Sequence, residues 1–227
     1  MRPSSFHFYP LTWPFFLGLI VLFGIVILLL ELRVLEYAYE KIGIRRQYVF
    51  VILLLTLAGS AINIPVAELP AERVSSGQEV VFFGMRYVVP VVRDWPGTIL
   101  ALNLGGAIIP VVLSVYLWIR NRLGTVALLA TTVVSIAVYM MATPVPGVGI
   151  AVPTFIPPLI AAVTALLLSR RSAPALAYVA GTLGTLIGAD LLNLPRLQGL
   201  GAPVASIGGA GTFDSVFLTG ILAVLLA

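Results

Sequence analysis

Apolar residues run along this chain in blocks of about 20, the length a helix needs to cross a bilayer. Seven such blocks stand out: Leu11–Leu32, Tyr48–Leu69, Thr98–Ile119, Thr125–Thr143, Gly149–Ser169, Pro174–Leu194 and Thr212–Ala227. The last is short and would cross by thinning the bilayer or by packing against its neighbours. The pattern predicts an all-α fold: a polytopic transmembrane helix bundle of about seven spans, a single transmembrane domain over residues 1–227. The first block reads as an uncleaved anchor, because only Arg2 precedes it as a charged n-region and no small-residue cleavage site follows it.

Two stretches break the pattern. Within residues 31–47, Leu32, Leu35, Tyr39 and Ile42 recur at helical spacing, with Arg33, Glu36, Glu40 and Lys41 between them. That arrangement predicts a helix lying at the cytoplasmic interface. Residues 70–97 form an outer loop, in which two β-rich runs flank Gly84 between Gln78 and Val92. They predict a small hairpin, either a lid over an outer site or a structured connector.

Composition agrees with a membrane setting. Of 227 residues 60% are hydrophobic and 10% charged, and mean hydropathy is +1.10. Too few polar residues remain to clothe a soluble fold of this size. A soluble enzyme, a nucleic-acid binder and a disordered chain are excluded on that ground. The absence of cysteine removes thiol catalysis, disulfides and thiolate metal sites. His7 stands alone, so no metal site and no cofactor are read from the sequence. The net charge of +4 is an orientation signal. The loops after the first, third and fifth blocks carry eight basic residues, from Arg33 to Arg171, against five elsewhere. This places the N-terminus outside and the C-terminus in the cytoplasm of a multi-pass protein of the cell membrane, with the lipid bilayer as its partner. Trp13 and Trp95 then lie at outer helix ends and Trp118 at an inner one.

Polar residues inside the blocks carry the chemistry. Asn63, Asn103, Asp190, Asn193 and Asp214 all fall near the outer ends of their helices. The second and sixth blocks end in Asn63-Ile64-Pro65 and Asn193-Leu194-Pro195, and the third and seventh open on glycine-rich turns. The pairs two–three and six–seven therefore read as parallel repeats about an axis along the membrane normal, or as a coincidence of common helix stops. Pro153, Pro157 and Pro158 should kink or break the fifth helix, which is tolerated at membrane depth only where the chain is buried or lines a cavity. One outward-facing polar cavity accounts for these features together, with Asn63, Asn103 and Asn193 as substrate- or ion-binding groups.

Asp190 and Asp214 are the acids set among apolar neighbours. A charge at mid-helix costs on the order of 3 kcal/mol on insertion scales, so it persists by facing a cavity or a partner. Ala177, Gly181, Gly184 and Gly188 form a small-residue stripe suited to close packing, and Asp190 projects from the other side of the helix. Three readings stay open. As a pair, one acid activates water and the other protonates a carbonyl, as in an aspartyl-type hydrolase acting on a membrane-embedded peptide. Alternatively the acids bind a cation or carry protons in a small-solute transporter. In the third reading they are structural hydrogen-bonding groups, Asp214 favoured simply by a helix N-terminus.

At these residues a family becomes recognisable. The runs Asn103–Pro110, Gly188–Leu194 and Gly208–Asp214, with Phe83–Tyr87 and Ala151–Pro158, resemble a family of bacterial and archaeal multi-pass membrane proteins catalogued as domain of unknown function 1614. The resemblance runs from the second block to the end of the chain. It implies a prokaryotic membrane protein and brings no activity with it. A weaker similarity, to intramembrane aspartyl proteases of the presenilin and signal-peptide-peptidase type, lies in one aspartate on each of two consecutive helices. It implies catalytic roles for Asp190 and Asp214. Here Thr212 and Phe213 lengthen the glycine turn before Asp214, and Ala189 stands where those proteases carry tyrosine.

Overall fold

A computed structural model describes Val21, Gly24, Leu28 and residues 31–70, 79–82, 85–88, 97–145, 149–197, 204–209 and 215–227. The chain divides into two units, Met1–Tyr37 and Ala38–Ala227. Most of the first predicted span, with Trp13, Trp95 and Asp214, lies outside the described residues.

The described chain is mostly helical. Helix α1 covers Glu31–Lys41 and α2 Arg46–Ser60. A π-helical turn, Leu104–Ile108, runs into α3, Ile109–Arg120, and α4 covers Gly124–Met141. Then come α5, Ile156–Leu168, and α6, Ala173–Thr185, which continues through a second π-helical segment, Leu186–Leu191. Helix α7 is Ser215–Leu226. Among the described residues α4 and the run Ala173–Arg196 are long and apolar enough to cross a membrane. The pair α1 and α2, bent by 116° at its break, is a third candidate.

The all-α expectation is corrected by a three-stranded sheet and by a short pair of strands after α4, while the hairpin expected between Gln78 and Val92 is present. Strands β1, Asn63–Leu69, and β4, Thr98–Asn103, occupy what hydropathy assigns to the ends of helices two and three. Strand β7 covers Val204–Ile207. In the three-stranded sheet β1 lies antiparallel to β4, and β7 parallel to it. Among the described residues there are also two hairpins: β2, Glu79–Phe82, with β3, Met85–Val88, and β5, Thr143–Val145, with β6, Gly149–Ala151. Hydropathy windows cannot separate apolar strand from apolar helix. Pro65 decides the matter locally: it cannot continue α2, and it sits at the register irregularity of the edge strand β1, where a missing N–H does least harm.

The fifth predicted span is shorter than expected for the same reason. Its helix begins at Ile156, and Pro157 and Pro158 fall in the first turn, where proline removes no intrahelical bond. They start the helix and do not kink it. The predicted interfacial helix over 31–47 is likewise interrupted, ending at Lys41 and restarting at Arg46.

Helix α6 forms the centre of the second unit. Eleven of its residues are buried, most of them Ala, Gly or Thr, and α3, α4, α5 and α7 all pack on it. The predicted small-residue stripe divides between partners. Gly184 and Gly188 abut Val134, Ser135 and Val138 of α4, whereas Gly181 abuts Thr219 of α7 and Ala161 of α5. A helix surrounded on all sides has no single seam. At the other end of the unit, Lys41 donates from Nζ to the Val224 carbonyl at 3.0 Å, a cation on the C-terminal turn of α7.

Two units of the same build lie side by side: β4 leads through Gly105-Gly106 into α3, and β7 is followed by Gly208-Gly209 ahead of α7. The turns touch through backbone. A Cβ on Gly105 would collide with Thr56 O and Ser60 N, and one on Gly106 with Gly208 O. Gly208 also holds φ at +84°, a conformation open to glycine at little cost. Gly105→Ala and Gly106→Ala should therefore each cost about 1–3 kcal/mol by overpacking. Detergent melts should show this as a fall of roughly 2–4 °C per kcal/mol. An unchanged melt for either variant would show that the backbones do not touch there.

Candidate functional site

Asn103 is fully buried at the last position of β4. Its Oδ1 accepts from the Gly106 N–H at 2.7 Å, capping the π-helical turn. That bond fixes the amide orientation, because only the oxygen can accept. The Nδ2 group then donates to the Ser60 carbonyl at 2.8 Å, at the end of α2, and to Asn63 Oδ1 at 3.0 Å across the strand pair. Asn63 Oδ1 also lies 2.7 Å from Ser206 Oγ of β7. Ser206 Oγ is 2.9 Å from the Gly209 carbonyl as well, so its single hydrogen serves one acceptor at a time. Asn63, Asn103 and Ser206 thus stitch all three strands together.

Asn193 is separate from that cluster. It too is fully buried, and its Nδ2 donates to the carbonyls of Gly188 (2.8 Å) and Ala189 (3.0 Å), which belong to the π-helical segment. Its Oδ1 accepts from Arg196 Nη1 at 3.1 Å. Arg196 is held in turn by Tyr139 of α4, through a 3.0 Å bond to the phenol oxygen and a guanidinium 4.8 Å from the ring centre. The side chain fastens a broken helix end to α4.

Asp190 is half-buried in the π-helical segment. Its Oδ2 accepts from the Gly208 N–H at 2.7 Å. It lines a pocket of about 220 Å³ together with Ser206, Gly209 and Ser215, closed by apolar residues including Leu194 and Leu197 and by Gly149 and Ile150 of β6. Of the five residues predicted to converge, Asn63 and Asn103 meet directly, and Ser206 carries that contact to the edge of the Asp190 pocket. Asn103 and Asn193 do not line the pocket; their amides are engaged by backbone. Asp214 falls outside the described residues. Ser206, Ser215, Arg196 and Tyr139 are additions to the sequence reading. The double glycine at 208–209 was visible as a turn, but β7 before it is too short to announce itself.

A carboxylate and two hydroxyls in a small pocket can hold a cation, a proton or a hydrogen-bonding solute. Among the described residues no group of three or more His, Cys, Asp and Glu could hold a metal ion. The asparagines give a direct test of the structural bonds. Asn103→Leu and Asn193→Leu each strand buried backbone groups and should cost about 1–3 kcal/mol per group left unmade. Asn63 is exposed, so Asn63→Ala should cost less. Thermal midpoints in detergent should follow that order; equal midpoints for Asn103→Leu and Asn63→Ala would remove Asn103 as the central tie.

No curated protein and no solved structure matches this chain. Residues 57–226 match the family described as "Protein of unknown function (DUF1614)". That match begins in α2 and takes in both strand–glycine–helix units, the Asn clasp and the Asp190 pocket, and the chain belongs to this family.

Proposed function

We propose that this chain is a multi-pass protein of the cell membrane that binds a cation or a small hydrogen-bonding solute at Asp190, within an ion- or proton-coupled transport cycle. One observation carries the reading: a carboxylate lines a small pocket from a π-helical segment within a candidate span. Charged groups at membrane depth are expensive and persist where they meet a partner, a cavity or a transported ion. π-helical segments within helices are frequent at functional sites, where the altered backbone re-aims a side chain. At about 220 Å³ the pocket falls below the roughly 300–1,000 Å³ of drug-sized sites, which suits an ion or small solute better than a peptide segment. In this reading the sheet end faces outward and the Arg45–Arg120 end the cytoplasm, following the distribution of Lys and Arg.

Paired-acid hydrolysis is the second reading. Its support is that Ser215, the residue after Asp214, lines the pocket with Asp190. The two readings differ in what they require. Transport needs sealed vesicles and a gradient, whereas a hydrolase cleaves a membrane peptide in detergent and loses that activity in Asp214→Asn.

Asp190→Asn separates function from folding, because the amide oxygen can still accept from Gly208 N–H. The variant should melt within a few degrees of wild type, and its cation- or pH-driven flux into vesicles should fall about tenfold or more, equivalent to at least roughly 1.4 kcal/mol of binding. Flux that survives the substitution sinks the transport reading. A variant that melts far lower, from a protein with neither flux nor cleavage to lose, assigns Asp190 to structure.

A further inference from the structure

A larger cavity than the one at Asp190 lies between α2 and α3. Helix α2 packs on the π-helical turn ahead of α3 where Gly59 meets Gly105, with 3.0 Å between an added Cβ and the Gly105 nitrogen. From that contact α2 and α3 stand apart, leaving a groove of about 700 Å³. Its walls are apolar: Val51 and Leu55 from α2, Ile109 and Val112 from α3. Its far end is lined by Arg45, Tyr48, Tyr116 and Arg120. None of its lining residues is acidic. Arg120 Nη1 donates to the Tyr116 hydroxyl at 2.6 Å, and the guanidinium lies 5.6 Å from the Tyr116 ring centre. The tyrosine thus steadies a guanidinium that has five N–H donors in all.

We infer that this groove is a binding site for an anionic glycerophospholipid of the phosphatidylglycerol class. Its volume is in the range of small-molecule sites. One acyl chain lies between Val51, Leu55 and Val112, pointing toward the Gly59–Gly105 contact. The phosphodiester sits at Arg45 and Arg120, whose planar forks match phosphate oxygens. Two guanidinium groups without a lining carboxylate complement a headgroup of net negative charge, whereas a zwitterionic headgroup brings its own ammonium into the same cationic end. Basic pockets between helices on the cytoplasmic side are the places where anionic headgroups gather. The inference is independent of what Asp190 does.

The test uses the full-length protein in a neutral detergent, with dioleoyl phosphatidylglycerol or dioleoyl phosphatidylcholine added. Phosphatidylglycerol should raise the thermal midpoint in a saturable way, and phosphatidylcholine should do so much less. The double variant Arg45→Gln/Arg120→Gln should weaken the phosphatidylglycerol response about 30-fold in concentration. Arg170→Gln/Arg171→Gln removes the same charge away from the groove and should leave the response intact. Val112→Trp, which fills the apolar part, should weaken binding with both arginines present. A photo-crosslinking residue at position 112 then identifies the occupant: a lipid adduct supports the proposal. Equal responses to the two lipids, an equal loss in the Arg170/Arg171 control, or a crosslink to residues 11–30 of this chain or to a second copy overturns it.

Discussion

Where a helix stops inside an apolar layer, its last carbonyls and the next amides need partners, because no water is there to supply them. This chain meets that requirement with strand pairing and with two buried asparagines. The C-terminal end of α2 passes into β1, and the approach to α3 passes through β4, so each helix end hands its backbone to the other. Asn103 closes the corner, accepting from Gly106 and donating to Ser60. Asn193 does the equivalent at the end of the α6 run, taking up the carbonyls of Gly188 and Ala189. The pocket beside Asp190 exists because these breaks are satisfied; an unsatisfied break would close up or unwind.

The two strand–glycine–helix units solve one problem in different ways. In the sheet register Leu102 faces Ile207, so Asn103 and Gly208 hold equivalent places. In the first unit the capping group is local: Asn103 binds an amide three residues on. In the second, glycine stands at that place and has no side chain to offer. Gly208's own N–H is taken up by another element, the Asp190 carboxylate. Asp190 therefore both holds the second turn and lines the pocket.

Much of this was legible in the sequence, and the failures have physical causes. Long apolar runs marked α3, α4, α5, α6 and α7, since 3.6-residue helices of such composition have few alternatives. Asn63, Asn103 and Asp190 stood out because amides and acids are costly among Leu, Ile and Val. Their grouping was only partly readable. Asn193 has the same Asn-x-Pro setting as Asn63, yet it turns back on its own helix, a choice made by the π-helical segment before it and not by its neighbours in sequence. The hairpin of β2 and β3 was legible in the β-rich runs on either side of Gly84, but β1, β4 and β7 were not, because Ile, Val and Leu serve both geometries, and only Pro65 broke the tie. The groove between α2 and α3 could not be read at all, because it depends on two glycines 46 residues apart meeting at one contact.

The parallel pairing of β4 with β7 joins segments more than a hundred residues apart in the chain. During synthesis β1 and β4 emerge early and can pair at once, but the second edge of β4 stays open until almost the whole chain has been made. Non-local pairing of this kind is slow, and an open strand edge invites association with the wrong partner. The N-terminal half is thus an assembly with one vacant position until the segment that fills it arrives, after α3 to α6 have been made. A chain that stops before Val204 keeps α2 to α6 but has a sheet without its third strand, with one edge of β4 left unpaired.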